Sequence, residues 1–212
     1  QSLVGSEMCI RDSRDIEIGM CPVRALRVAY TGELGWELHH PIEMQNYLLD
    51  ILLSSGKEFN LKLVGARAQN FFRQEKSYKA FGSDLGRDAG PFESKLSRFV
   101  DINKNFLGKD ALLKRKTDVS CVTLLIDGPK DIDPWGREAL YNETEEVMLG
   151  RLTSAGYSVH FKRSIGIGYV NSSFSEVGTK LRIKIDDAFW DAEIVRDSPY
   201  DPQNERIIDR VQ

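Results

Sequence analysis

Apolar positions along the chain follow two rhythms, and the change between them falls near residue 117. Before it, Met44, Tyr47, Leu48, Ile51 and Leu52 recur at three- and four-residue spacing, which predicts an amphipathic helix from Glu43 that Gly56 stops after Ser54-Ser55. A second helix is predicted from about Gly65 to Lys76, with Phe71 and Phe72 as buried anchors and Asn70 and Arg73 three apart on another face. That placement leaves Arg73 free to point at a pocket. On the residues alone, a surface arginine paired with Gln69 or Glu75 is the plainer reading. From Phe81-Gly82 to Pro91, glycine, aspartate and proline recur without period, so this stretch reads as loop.

Upstream of both helices, Val23 to Tyr30 alternates and carries β-branched residues, and Trp36 to His39 reads as the strand returning from a turn bounded by Gly32 and Gly35. Tyr30 and Glu37 would then face each other near one hairpin end. A carboxylate held there is a good acceptor for a flat ligand edge with adjacent N–H donors, because two oxygens match two parallel hydrogens. On the residues alone, an exposed hairpin acid explains Glu37 more often than a ligand contact does. Past Lys114-Arg115-Lys116 the rhythm shortens to strands: Cys121 to Ile126, Glu138 to Tyr141, Val147 to Thr153, Ser164 to Val170, Leu181 to Ile185 and Phe189 to Val195. Turn signals at Asp127-Gly128-Pro129, Asp133-Pro134-Trp135-Gly136 and Val177-Gly178 separate them, so this half is expected to be a small all-β barrel or sandwich.

Composition narrows the function classes. With 212 residues, 41% hydrophobic and 29% charged, the chain can bury a sizeable core and is not of disordered composition. A net charge of -3 with scattered Lys and Arg gives no basic stripe for nucleic acid, and Lys114-Arg115-Lys116 reads as a solvated linker face. Cys9, Cys21 and Cys121 lack metal-ligand spacing, and His39, His40 and His160 build no Cys/His cluster, so no metal and a reducing compartment are expected. No apolar run approaches the ~20 residues that span a bilayer, and no signal-peptide core opens the sequence. Gly166-Ile167-Gly168 lacks the third glycine and following helix of a dinucleotide fingerprint.

The segment Glu7-Met8-Cys9-Ile10-Arg11-Asp12-Ser13 looks like the translation of a transposon end used in library preparation, so residues 1–13 are expected to be a sequencing or cloning artefact with few packed contacts.

Tyr30-Thr31-Gly32-Glu33-Leu34-Gly35-Trp36-Glu37-Leu38 resembles a signature block of the glycine-cleavage T-protein (aminomethyltransferase) family. Further blocks agree in order: Gly65-Ala66-Arg67-Ala68 with Phe72-Arg73-Gln74-Glu75-Lys76, Tyr78 to Leu85, Pro91-Phe92-Glu93, and Asn105 to Leu112. Asp131 to Gly136, Thr153 to Ser158 and Ile165 to Val170 are similar to the family's C-terminal barrel, so the likeness runs from Val23 nearly to the end. Gly-Glu-Leu-Gly-Trp-Glu-Leu and Glu75-Lys76 look most like the folate half of dimethylglycine and sarcosine dehydrogenases. Two residues depart from the pattern: Lys95 stands where the family usually has glycine, and Ser77 follows Glu75-Lys76 in place of the usual small or aromatic residue.

The resemblance implies an α+β fold: part of the folate-binding domain over 14–116, then the C-terminal β-barrel over 117–212. It also implies tetrahydrofolate as cofactor, with Glu37 accepting hydrogen bonds from the pterin amide and amino group and Tyr30 and Arg73 lining the same cavity. Trp36 and Tyr78 read as packing residues, and Glu75 as a structural partner of a backbone or arginine group. The family's catalytic aspartate belongs to a preceding part, so no catalytic residue is expected here and the chain alone is expected to be inactive. FAD would belong to the missing N-terminal part of a dehydrogenase parent. A stand-alone aminomethyltransferase is the alternative within the family, and a non-catalytic folate-binding or interaction module the alternative of another class. The implied partner is a small-molecule folate, with no nucleic acid and no membrane, in the cytoplasm or, for a eukaryotic protein, the mitochondrial matrix.

Overall fold

The computed structural model describes residues 13–128 and 133–207, and the expectation for residues 1–13 lies outside this range except at Ser13. Compactness divides the chain into one unit of residues 1–70 and 201–212 and a second of residues 71–200. The change of rhythm near 117 is therefore not where compactness divides it. The two units are described separately.

In the first unit, β1 (Ser13–Ile18), β2 (Cys21–Leu26) and β3 (Glu37–His39) form an antiparallel sheet in that order. Alternation in β2 sends Cys21, Val23 and Ala25 inward, and Cys21 and Val23 pack against Leu48 of α1 (Gln45–Ser55). Ile16, Ile18, Leu38, Met44, Tyr47 and Leu52 surround them, so the predicted apolar stripe of α1 covers the sheet. Strand β1 was not anticipated. Its turn to β2 depends on Gly19 at φ +61°, where an added Cβ would lie 2.5 Å from Tyr47 Oη and 2.6 Å from Ile51 Cδ1.

The expected hairpin is shorter than its sequence pattern. Leu26 pairs with Glu37, Ala25 with Leu38 and Arg24 with His39, whereas Tyr30 lies in the connecting loop and does not face Glu37 across the ladder. Beyond Leu26 the two arms converge without pairing. An added Cβ at Gly35 would approach Ala29 Cβ to 2.9 Å, a separation too close for two ordinary side chains.

In the second unit, β4 (Val119–Ile126), β5 (Ala139–Tyr141), β6 (Met148–Ser158), β7 (Arg163–Asn171), β8 (Lys180–Ile185) and β9 (Ala188–Val195) form a closed antiparallel barrel in the order β4-β7-β6-β5-β8-β9. All six expected strands are present, and the barrel resolves the choice between barrel and sandwich. Val122, Leu124, Leu140, Ile183 and Ile194 are fully buried within it. Strand β6 runs past Thr153 to Ser158 because its register shifts between Leu152 and Ser154, and pairing with β7 resumes on the far side.

Helix α2 (Ala66–Glu75) crosses the division between units, and α3 (Lys109–Lys114) follows the loops. Phe71 and Phe72, expected as its buried anchors, are only partly buried. Arg73, Gln74 and Glu75, with Lys76 and Ser77 after them, are the buried residues.

Candidate functional site

Strand β3 fixes the geometry of the first candidate, Glu37. Its alternation exposes Glu37 and His39 and turns Leu38 toward the core. The Glu37 carboxylate is about half exposed, and Oε2 accepts from His39 Nε2 at 3.1 Å. One oxygen of an accessible acceptor is therefore engaged, and a ligand edge carrying two N–H groups has the matching chemistry. Tyr30 is 37% exposed in the loop preceding β3, which puts a phenol on the same connection.

Arg73 is placed differently from the expectation of a side chain free to reach a pocket. Its Nη1 donates to Asp84 Oδ2 at 2.6 Å and to the Tyr78 carbonyl at 2.8 Å, and its Nη2 donates to Ser154 Oγ at 2.7 Å. Both charged side chains are almost fully buried. Removing two charges from water costs several kcal/mol each, so such a pair persists only when the remaining donors and acceptors are also satisfied. Asp84 meets that condition. Oδ2 also accepts from the Ala80 N–H at 2.9 Å, and Oδ1 accepts from Thr153 Oγ1 at 2.5 Å and Ser154 Oγ at 2.6 Å.

Asp84 thereby joins α2, the loop after it and β6. Its carbonyl accepts from Tyr169 Oη at 2.8 Å. Since that bond uses the phenol hydrogen, Ser94 Oγ donates to Tyr169 Oη, also at 2.8 Å. Burial pushes the Tyr169 hydroxyl up to about 12, and burial pushes the neighbouring Cys121 thiol up to about 11. Both stay protonated at neutral pH, which makes them structural donors and not nucleophiles.

The end of α2 is closed by the segment after β9. Ser198 Oγ donates to the Lys76 carbonyl at 2.8 Å, and the Tyr200 N–H donates to the Glu75 carbonyl at 3.0 Å. The Glu75 carboxylate accepts from Ser158 Oγ, so its side-chain partner is a hydroxyl. The two residues that depart from the family pattern share one backbone state: Ser77 and Lys95 both have φ +55°. A glycine preference is natural there. Ser77 offsets the strain through bonds to Thr123 Oγ1 at 2.7 Å and the Ser198 N–H at 2.9 Å. Arg115, expected on a solvated face, pairs instead with the buried Glu93 at 2.6 Å.

Sequence reasoning missed Asp84 and Ser154. Their partner Arg73 is eleven and eighty-one positions away, and no local pattern marks contacts at those separations. Among the described residues no group of His, Cys, Asp and Glu could hold a metal ion, and no helix is long and apolar enough to cross a membrane. An open concavity of about 660 Å³ over Asn105 to Ala111 contains none of Tyr30, Glu37 and Arg73.

Comparison with known proteins covers both halves of the chain. Residues 2–104 match the family model described as the GCVT N-terminal domain, and residues 120–201 match the glycine cleavage T-protein C-terminal barrel domain. Mitochondrial dimethylglycine dehydrogenase of Mus musculus is 35% identical over 192 residues, which is 87% of this chain and 22% of that protein. An aminomethyltransferase of Caldanaerobacter subterraneus subsp. tengcongensis is 31% identical over 160 residues, 75% of this chain and 42% of that one. The crystal structure of the glycine cleavage system aminomethyltransferase T from Bartonella henselae shares the fold, with a TM-score of 0.75 at 22% identity over 85% of this chain and 50% of that one. The chain thus spans less than half the length of these two relatives and half of the solved neighbour.

Proposed function

This chain belongs to the glycine cleavage T-protein family of folate-dependent one-carbon-transfer enzymes, and we propose that it is the tetrahydrofolate-handling part of a longer enzyme of the dimethylglycine or sarcosine dehydrogenase type. In that reading a flavin-bearing part outside the chain oxidises an N-methyl group, and the folate part captures the one-carbon unit as methylene-tetrahydrofolate. The observation that carries the reading is the accessible carboxylate of Glu37 on β3. Glu37 accepts from the pterin amide and amino group and Tyr30 lines the cavity. Arg73 is carried by the family resemblance alone; in this structure its side chain is buried and bonded to Asp84. The amine substrate, the flavin and a location in the cytoplasm or mitochondrial matrix belong to the same proposal. A stand-alone aminomethyltransferase is the second reading, favoured by the 31% identity to such an enzyme.

Calorimetry with tetrahydrofolate tests the site in both the 212-residue chain and its intact parent. The chain is expected to bind weakly and to turn over nothing. In the parent, Glu37→Gln should cost about 1.5–3 kcal/mol of binding, or roughly one to two decades in affinity. Equal affinities would remove Glu37 from the site, and a chain that binds no tetrahydrofolate would overturn the folate reading.

A further inference from the structure

We infer that His39 is a positioning residue for Glu37, setting its carboxylate for a heterocycle edge with adjacent N–H donors; this rests on the folate reading above. Glu37 and His39 are two apart on β3 and share its exposed face, with Nε2 and Oε2 3.1 Å apart. A carboxylate only accepts hydrogen bonds, so the shared proton sits on His39 Nε2 and the ring tautomer follows.

The neighbouring strands explain why His39 turns along its own strand. Arg24 stands directly opposite His39, and Asp15 directly opposite Arg24. The guanidinium is committed to Asp15, with Nε at 2.8 Å and Nη2 at 3.1 Å from its two carboxylate oxygens. It neither holds Glu37 nor accepts from His39, and Glu37 is the acceptor left within the imidazole's reach on β3. The bond restrains a side chain that is 55% exposed and would otherwise sample several rotamers before a ligand arrived. Among the described residues Oε2 is the oxygen in use, and it retains a second lone pair, so both oxygens can still accept from a ligand.

The test is an NMR-monitored titration of the 212-residue chain with tetrahydrofolate, comparing wild type, His39→Leu and His39→Gln, each with and without Glu37→Gln. His39→Leu should weaken binding by up to about fivefold, the scale of one exposed polar pair. His39→Gln, whose amide can donate the same bond, should stay within about twofold of wild type. In the Glu37→Gln background, His39→Leu should add no further loss. An equal loss in both backgrounds would overturn the positioning role and leave Glu37 as a ligand residue. An unchanged affinity for Glu37→Gln alone would remove Glu37 from the site and overturn this inference, whereas no binding by wild type would overturn the folate reading as well. A second readout needs no ligand: imidazole nitrogen shifts should report the Nε2-protonated tautomer in wild type and a redistribution in Glu37→Leu. An unchanged tautomer ratio would overturn the pairing itself.

Discussion

The barrel and the three-stranded sheet use the same alternation of apolar and polar residues, yet they end with very different interiors. In the barrel, closure gives every strand two neighbours, and Val122, Leu124, Leu140, Ile165, Ile167, Ile183 and Ile194 retain no exposure. Among the described residues β1 and β3 each pair on one side only, and the sheet's core contains Cys21, Val23 and Leu48 among partly covered neighbours. Phe59, Leu63 and Val64 in the same unit are more than 60% exposed. A closed sheet completes its own core, whereas an open one of three strands depends on the single helix laid across it.

The largest effect should come from the polar anchor that ties α2 to the barrel. Arg73→Ala should destabilise the second unit by about 3–5 kcal/mol because it leaves Asp84 buried without its cation. Replacing both partners, Arg73→Met with Asp84→Leu, should cost less than either single change to alanine, and urea denaturation checks the order. A double variant worse than both would show that the hydrogen bonds of Asp84, more than its charge, hold the unit.

Truncating the two cores comes next. Leu140→Ala should cost about 2–5 kcal/mol, while Leu48→Ala should fall toward the lower end because the open sheet can relax around the gap. Hydrogen exchange resolved by residue measures both, and equal costs would erase the contrast between closed and open cores.

A smaller effect follows from Cys121. Its thiol sits at about 11 in the folded barrel against an ordinary value of 9.0, so the unfolded chain loses this proton first as pH rises. Barrel stability should therefore decline between pH 9 and pH 11 from this group, and a Cys121→Ala variant should decline less. Thiol labelling at pH 8 should spare Cys121 until urea opens the barrel.

The smallest change concerns the backbone. Lys95→Gly should stabilise by about 0.5–1 kcal/mol, since Lys95 is exposed and held at φ +55°. Ser77→Gly relieves the same angle but forfeits the bonds to Thr123 and Ser198, so its thermal midpoint should fall while that of Lys95→Gly rises.

These contrasts also explain what could be read in advance. The six barrel strands were legible because each pairs alternation or an apolar run with a turn signal, and α1 because its stripe is regular. Strand β1 was not legible because only Ile16 and Ile18 carry its apolar alternation ahead of Gly19, too few positions to mark a strand by themselves. Tyr30 was assigned to a strand because its neighbours alternate, but pairing is decided by the opposite chain, and Glu37 meets Leu26. Arg73 was the deeper difficulty. Helical spacing tells which face an arginine occupies, and nothing in a sequence window tells that a carboxylate and a serine from elsewhere will bury it.

The barrel's seam has a consequence for its synthesis. Strand β4 pairs with β7 on one side and β9 on the other, with Ile126 opposite Ala192, while β6–β7 and β8–β9 are joined by local turns. Chain closure over that distance is slow compared with hairpin formation, so the seam is the last contact available to a chain emerging from the ribosome. Until β9 has emerged, Cys121-Val122-Thr123-Leu124-Leu125-Ile126 presents an apolar strand with an unpaired edge, and the nascent protein is at its most aggregation-prone in that interval.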